Sequence, residues 1–185
     1  MKVQLERIAR MFAEVAREED KQLTDLCGEG IFFMPELAFA YACGKAVMRD
    51  RAQIFGDTDV RWIREENFGG GGPTDLAFGL RDRKKIVVEF KMRATLPSYV
   101  ADIAKLQRLS DPTVARIFCA LVDVFAVGPP DGRLQGIESP TKDAPRLTRL
   151  NDPFPSFPTR QHWYDKKVSC VVAAWTVGEI PEMRS

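Results

Sequence analysis

Residues 114–127, VARIFCALVDVFAV, form the strongest apolar run in the chain and constrain its fold more than any other segment. A strand with almost no polar face has to be covered on both sides, so the run reads as a central strand of a sheet. A last strand is predicted over 166–177 (KKVSCVVAAWTV). Near the start, Leu5, Ile8, Phe12 and Val15 recur at helical spacing among charges, which predicts an amphipathic helix from residue 2 to about 26, ended by Gly28 and Gly30. A second helix is predicted from Pro35, a residue suited to a first helical turn. Its sequence ELAFAYACGKAVMRD is apolar nearly all round until Lys45, which predicts a buried helix.

The middle of the chain alternates differently. Residues 58–68 (TDVRWIREENF) read as a strand, 69–72 as a four-glycine loop, 74–80 and 85–92 as two strands around the charged turn 81–84. Ser98 is the expected N-cap of a helix running through Leu109 and stopped by Asp111-Pro112. Between residues 128 and 160, which hold seven of the 12 prolines, no periodicity survives, and an irregular surface excursion is expected. The sum is an α/β chain with a mixed sheet flanked by helices.

Composition narrows the function classes. With 185 residues, the chain is long enough for one domain that needs no disulfide or metal to fold. Its 27 basic and 26 acidic residues give a net charge of +1, so any nucleic-acid surface has to be local. No apolar stretch approaches the roughly 18 residues of a membrane span, and the charged N-terminal residues do not resemble a signal peptide; the expected setting is cytoplasmic, without a membrane partner. Cys27, Cys43, Cys119 and Cys170 form no CxxC pair, and three lie in apolar runs, as small buried side chains do. A single histidine, His162, argues against a histidine-based metal site or a Ser-His-Asp triad. The glycine loop lacks the GK[ST] ending of a phosphate loop.

Parity then gathers charge on one patch. In TDLAFGL, Leu76, Phe78 and Leu80 share one face and Asp75, Ala77 and Gly79 the other; in KIVVEFKM, Ile86, Val88, Phe90 and Met92 share one face and Lys85, Val87, Glu89 and Lys91 the other. If Leu80 opposes Lys84 in a hairpin, Asp75 opposes Glu89; a slip by one residue would mix the faces, whereas a slip by two stays open and keeps Asp75 near Glu89 or Lys91. Directly opposed side chains sit about 5 Å apart at Cβ, where two unit charges repel by roughly 3 kcal/mol at an effective dielectric near 20. Such a pair persists if one acid protonates, if a lysine compensates, or if a hard cation such as Mg²⁺ or Mn²⁺ binds between oxygen ligands. The simpler account is a salt bridge of Asp75 or Glu89 with Lys91 at a sheet edge.

Asp75 followed by Glu89-Phe90-Lys91 at the close of an apolar strand resembles the signature of the PD-(D/E)xK nuclease superfamily, with Pro73 two positions before the acid rather than adjacent. The order of elements from about 35 to 127 is similar to that family's αβββαβ core, the restriction-endonuclease-like fold. The resemblance implies such a core, completed by the strand 166–177, with an extra N-terminal helix and the long proline-rich loop. It implies a Mg²⁺- or Mn²⁺-dependent nuclease, a DNA endonuclease in the first instance, leaving a 5′-phosphate and a 3′-hydroxyl. By the same resemblance Asp75, Glu89 and Glu36 are the metal ligands, Lys91 serves the attacking water, and Lys105 and Arg93 bind substrate. Each has a plainer role: Glu36 suits the positive end of a helix, and Asp102 with Lys105 makes an ordinary i,i+3 ion pair. The segment containing Arg160, His162, Trp163, Tyr164, Lys166 and Lys167 interleaves basic and aromatic groups, as strand-binding surfaces do, or anchors a solvated loop. A homodimer would join two modest basic patches. A non-cutting nuclease-fold module that binds nucleic acid or a protein is the alternative.

Overall fold

The computed structural model describes residues 3–56, 59–67, 72–128, 131–139 and 145–181. Helices α1 (Leu5–Cys27), α2 (Glu36–Arg49) and α3 (Arg51–Phe55) lead into strands β1 (Arg61–Arg64), β2 (Leu76–Gly79) and β3 (Lys85–Met92). Helix α4 (Leu96–Gln107) crosses to β4 (Val114–Phe125), and α5 (Arg133–Glu138), β5 (Leu147–Arg149), β6 (Ser156–Thr159) and β7 (Val168–Val177) follow. The seven strands form one mixed sheet in the order β1-β2-β3-β4-β7-β5, with β6 also paired to β7. The β3–β4 pair is parallel and the other pairings are antiparallel. Among the described residues no helix is long and apolar enough to cross a membrane.

Strand alternation divides the core into two layers. On one face Phe78, Val88, Phe90, Ile117 and Cys119 pack beneath α1, α2 and α3, against Ile8, Phe12, Phe39 and Phe55. On the other, Ala77, Val87, Phe118 and Trp175 pack beneath α4, against Tyr99, Ile103 and Leu106. Phe90 lies edge-on to Phe12 (5.0 Å) and Phe39 (5.3 Å), contacts worth about 0.5–1.5 kcal/mol each beyond area burial. Because Phe90 is locked into the α1–α2 layer, Glu89 and Lys91 on either side of it must point toward α4.

The predicted hairpin register holds: Ala77 opposes Val87, Leu76 opposes Val88, and the Leu80 N–H donates to the Lys84 carbonyl at 2.8 Å. β3 occupies residues 85–92 as expected, and β4 is the central strand, with Cys119, Ala120, Leu121 and Val122 fully buried. Cys43, Cys119 and Cys170 are buried and Cys27 is exposed. Gly28 ends α1 in the left-handed conformation, φ 77°, which costs glycine nothing. Gly44 lets α2 sit on β1, since a Cβ there would fall 2.4 Å from the Trp62 ring.

Four expectations are corrected. The segment 128–160 is not irregular throughout: α5, β5 and β6 lie within it, and both strands are completed by hydrogen bonds to β7, whose edge supplies partners that periodicity cannot reveal. α4 begins two residues before Ser98, with Thr95 at the N-cap position and the two hydroxyls 3.1 Å apart. Pro35 is the N-cap residue of α2 rather than part of its first turn. α2 is not buried all round, because Leu37 and Tyr41 are 55% and 45% exposed; the helix lies over one end of the sheet, so its outer face is uncovered. Residues 69–71 of the glycine loop, and Thr58 and Phe68 at the ends of the first predicted strand, lie outside the described residues.

Candidate functional site

β3 outruns its neighbour. β2 begins at Leu76, opposite Val88, so the N–H groups of Phe90 and Met92 on that side have no strand to bond. Two carboxylates take the missing strand's place. Asp75, the residue just before β2, accepts the Phe90 N–H through Oδ2 at 2.7 Å, and Glu36, the first residue of α2, accepts the Met92 N–H through Oε2 at 2.7 Å. A buried unpaired backbone N–H costs as much as a lost hydrogen bond, so both acids have a structural task that fixes their positions. Glu89 projects from β3 itself and is buried, 5% exposed.

Two lysines reach this cluster from the α4 side. Lys105 donates from Nζ to Glu89 Oε1 at 2.7 Å and to the Pro73 carbonyl at 2.6 Å, spanning the two arms of the site. Lys91 lies 3.0 Å from Asp102 Oδ2 and 3.7 Å from Glu36 Oε1. The i,i+3 pair expected within α4 is therefore corrected: Asp102 and Lys105 each pair across to β3, Asp102 with Lys91 and Lys105 with Glu89. The expected salt bridge of Lys91 with Asp75 or Glu89 is corrected in the same way. Its partners are Asp102 and Glu36, because α4 and the start of α2 bring these acids closer to the ammonium.

The electrostatics leave negative charge uncompensated. Burial is the main influence that pushes Asp75 up to about 6, with Glu36 repelling it and the Phe90 N–H, Lys105 and Lys91 pulling the other way. Burial first, then the charge of Asp75, pushes Glu89 up to about 7 against the Lys105 hydrogen bond. Burial disfavours the charge on Lys91, but Asp102 and Glu36 outweigh it and hold the ammonium more firmly protonated than usual. Glu89 Oε2 is buried and, among the described residues, has no hydrogen-bond partner. Among the described residues no group of three or more His, Cys, Asp and Glu is close enough to hold a metal ion by itself. Asp75 and Glu36 each accept one N–H of β3, Glu36 also faces Lys91, and Glu89 accepts from Lys105.

Asp75, Glu89, Lys91, Glu36 and Lys105 are thus brought together by the fold, while Arg93 stands slightly apart. Arg93 takes a left-handed backbone, φ 45°, as β3 ends, and its guanidinium stacks over Trp163 at 5.0 Å. Two participants were not read from the sequence in the part they play. The i,i+3 spacing points Asp102 to Lys105, and the apolar run of α2 points Tyr41 inward; Trp62 in β1, whose ring lies 5.2 Å from that of Tyr41, is the available signal. The chain matches no protein-family model, and no curated protein or solved structure was found to be similar to it.

Proposed function

We propose that this chain is a metal-dependent nuclease with a PD-(D/E)xK-type site and a restriction-endonuclease-like core. The carrying observation is the buried Oε2 of Glu89, unpartnered among the described residues, beside Asp75 and on a carboxylate whose other oxygen accepts from Lys105. An uncompensated buried carboxylate oxygen is costly, and a hard cation removes that cost. The element order supports the reading: α2 and the short α3 precede β1, and a β1–β2–β3–α4–β4 succession follows, with an antiparallel β1–β2–β3 meander and β4 parallel to β3.

The residues fit Mg²⁺ or Mn²⁺. Mg²⁺ takes oxygen ligands and is commonly held by only one or two carboxylates, with waters and substrate phosphate completing the shell; Asp75 and Glu89 would hold it, with Glu36 as an outer acidic partner. A cation there supplies Lewis acidity toward a phosphodiester oxygen and makes bound water more acidic. Lys91 positions the attacking water by hydrogen bonding and offsets charge developing on the phosphate oxygens. The water oxygen bonds to phosphorus and gives up a proton, the bond to the 3′ oxygen breaks, and that oxygen takes up one proton in exchange through solvent, leaving 3′-hydroxyl and 5′-phosphate ends. Lys105, already bonded to Glu89 and to the Pro73 carbonyl, holds the two carboxylate-bearing segments in register.

The test is incubation of the protein with supercoiled plasmid, linear duplex, single strands and RNA, each with Mg²⁺, Mn²⁺ or EDTA. Cleavage that needs the divalent ion and disappears in Asp75→Ala supports the reading; no cleavage of any substrate with either ion overturns it. One observation favours a second reading, a non-cutting module of the same fold: Lys105 already occupies Glu89 Oε1, supplying part of the positive charge that a metal would bring. That reading predicts equal thermal stability with and without Mg²⁺.

A further inference from the structure

The sheet topology gathers more on this edge than the carboxylates. β1 and β4 run in the direction of β3, and β2 and β7 run against it. The C-terminal ends of β1, β3 and β4 and the N-terminal ends of β2 and β7 therefore lie together. β6 ends at Thr159, opposite Val168, so the connection 160–167 falls on the same edge.

Two exposed aromatic rings stand there, one on each side of the acidic cluster. Tyr41, 45% exposed, has Lys45 Nζ 5.1 Å and the Arg64 guanidinium 5.9 Å from its ring centre. It lines a small cleft together with Leu37, Arg64 and Asp75, which places it directly beside the candidate ligand. Trp163, 39% exposed, carries the Arg93 guanidinium 5.0 Å from its ring centre. Arg93 lies two residues beyond Lys91 in the chain, and its left-handed backbone marks where the strand leaves the sheet. Beyond Trp163, a cleft of about 880 Å³ is lined by Tyr164, Arg160, Lys166, Lys167 and Lys21, with Asp25 and Asp165 opposing them. A third acid on its wall, Asp20, is already engaged by the Ile31 N–H and the Thr159 hydroxyl.

Exposed rings with cations beside them suit unpaired bases: each base offers a face for stacking, and the cations meet the backbone phosphates. In a duplex those base faces are covered by their neighbours. We infer that this edge is a track for single-stranded nucleic acid, with Tyr41 and Trp163 stacking unpaired bases on either side of the carboxylates. Arg64 and Lys45 take phosphates on one flank, and Arg93, Lys166 and Lys167 take them on the other. The inference rests on the nuclease reading for its central site and adds the substrate class to it.

The test uses the full chain in EDTA and fluorescent oligothymidylate and oligouridylate of about 15 nucleotides, a length within reach of such surfaces, beside a hairpin duplex of similar length. Anisotropy is expected to show single strands bound at least about 10-fold more tightly than duplex, with the tighter of the two oligomers naming DNA or RNA. Tyr41→Ala and Trp163→Ala should each weaken single-strand binding by about 5- to 100-fold, the range for loss of one stacked base. Tyr41→Phe and Trp163→Phe should retain most of it. Both rings are exposed, and unchanged melting temperatures would show that the variants are folded. Equal or tighter duplex binding, or alanine variants that bind like wild type, overturns the track. Repeating the assay with Mg²⁺ separates the two ideas. Ring-dependent binding without cleavage defeats the nuclease reading alone, whereas duplex cleavage indifferent to both rings defeats the track alone.

Discussion

Asp75→Asn is the most informative perturbation, because it changes one charge and almost no shape. Moving the Asp75 carboxyl from 3.8 to about 6 corresponds to a folded-state penalty of about 3 kcal/mol once both folded and unfolded chains are ionised. The asparagine amide oxygen can still accept the Phe90 N–H, and the penalty is already net of the charge assistance that the ionised carboxylate gives this bond. The net expectation is a stabilisation of about 2–3 kcal/mol in EDTA at about pH 8, or about 4–12 °C in melting temperature for a domain of this size. The sign fixes the pH window. A carboxyl whose folded pKa is raised carries no penalty below its unfolded value. The penalty grows as pH rises from about 4 and is complete above the folded value near 6. The stability difference between variant and wild type should therefore vanish toward pH 4 and reach its full size by pH 8. Thermal unfolding followed by circular dichroism at several pH values measures it. Mg²⁺ should raise the melting temperature of wild type by mass action and that of the variant much less. An Asn variant less stable than wild type at pH 8 in EDTA, or a difference constant across the pH range, would refute this account of the site.

Lys91→Ala should slow cleavage by a factor on the order of 100 or more while leaving metal binding intact, since its work is on charge that develops in the transition state. Glu36→Ala should instead raise the Mg²⁺ requirement, and excess Mg²⁺ should restore its rate; kinetics over a Mg²⁺ titration distinguish the two. Lys105→Met should destabilise the metal-free fold by about 1–3 kcal/mol at about pH 8, because Glu89 loses its buried partner and has to take up a proton, and Mg²⁺ should protect this variant more than wild type in the same melting assay. Phe90→Ala should cost about 3–5 kcal/mol by chemical denaturation, because it empties the space between Phe12 and Phe39 that holds Glu89 and Lys91 on their face.

The two halves of the site differ in how far local sequence could specify them. Period-two alternation in residues 74–92 decided which side chains share a face and excluded a slip by one residue, which would have put Phe78 and Phe90 in the wrong layer; between that register and a slip by two, only the folded hairpin chose. Asp75, Glu89 and Lys91 belong to one patch for that reason alone. The run 114–125 likewise determined its own place at the centre of the sheet, because no arrangement with an open face could cover it.

What the tertiary structure decided is where α4 and α2 land. The i,i+3 spacing of Asp102 and Lys105 permits a pair within the helix. Only the packing of Tyr99, Ile103 and Leu106 on β3 and β4 turns both side chains toward β3 and hands them different partners. Glu36 was legible as a helix-start acid, yet its bond to the Met92 N–H exists because β2 stops short and leaves that donor unpaired. β5 and β6 carry too little alternation to announce themselves, and they become strands because β7 offers each an edge. Tyr41 looks buried when its helix is read alone; its exposure follows from α2 overhanging the end of the sheet. Local periodicity records which face a residue takes, but an unpaired N–H, a free strand edge or an uncovered helix face exists only once distant segments have met.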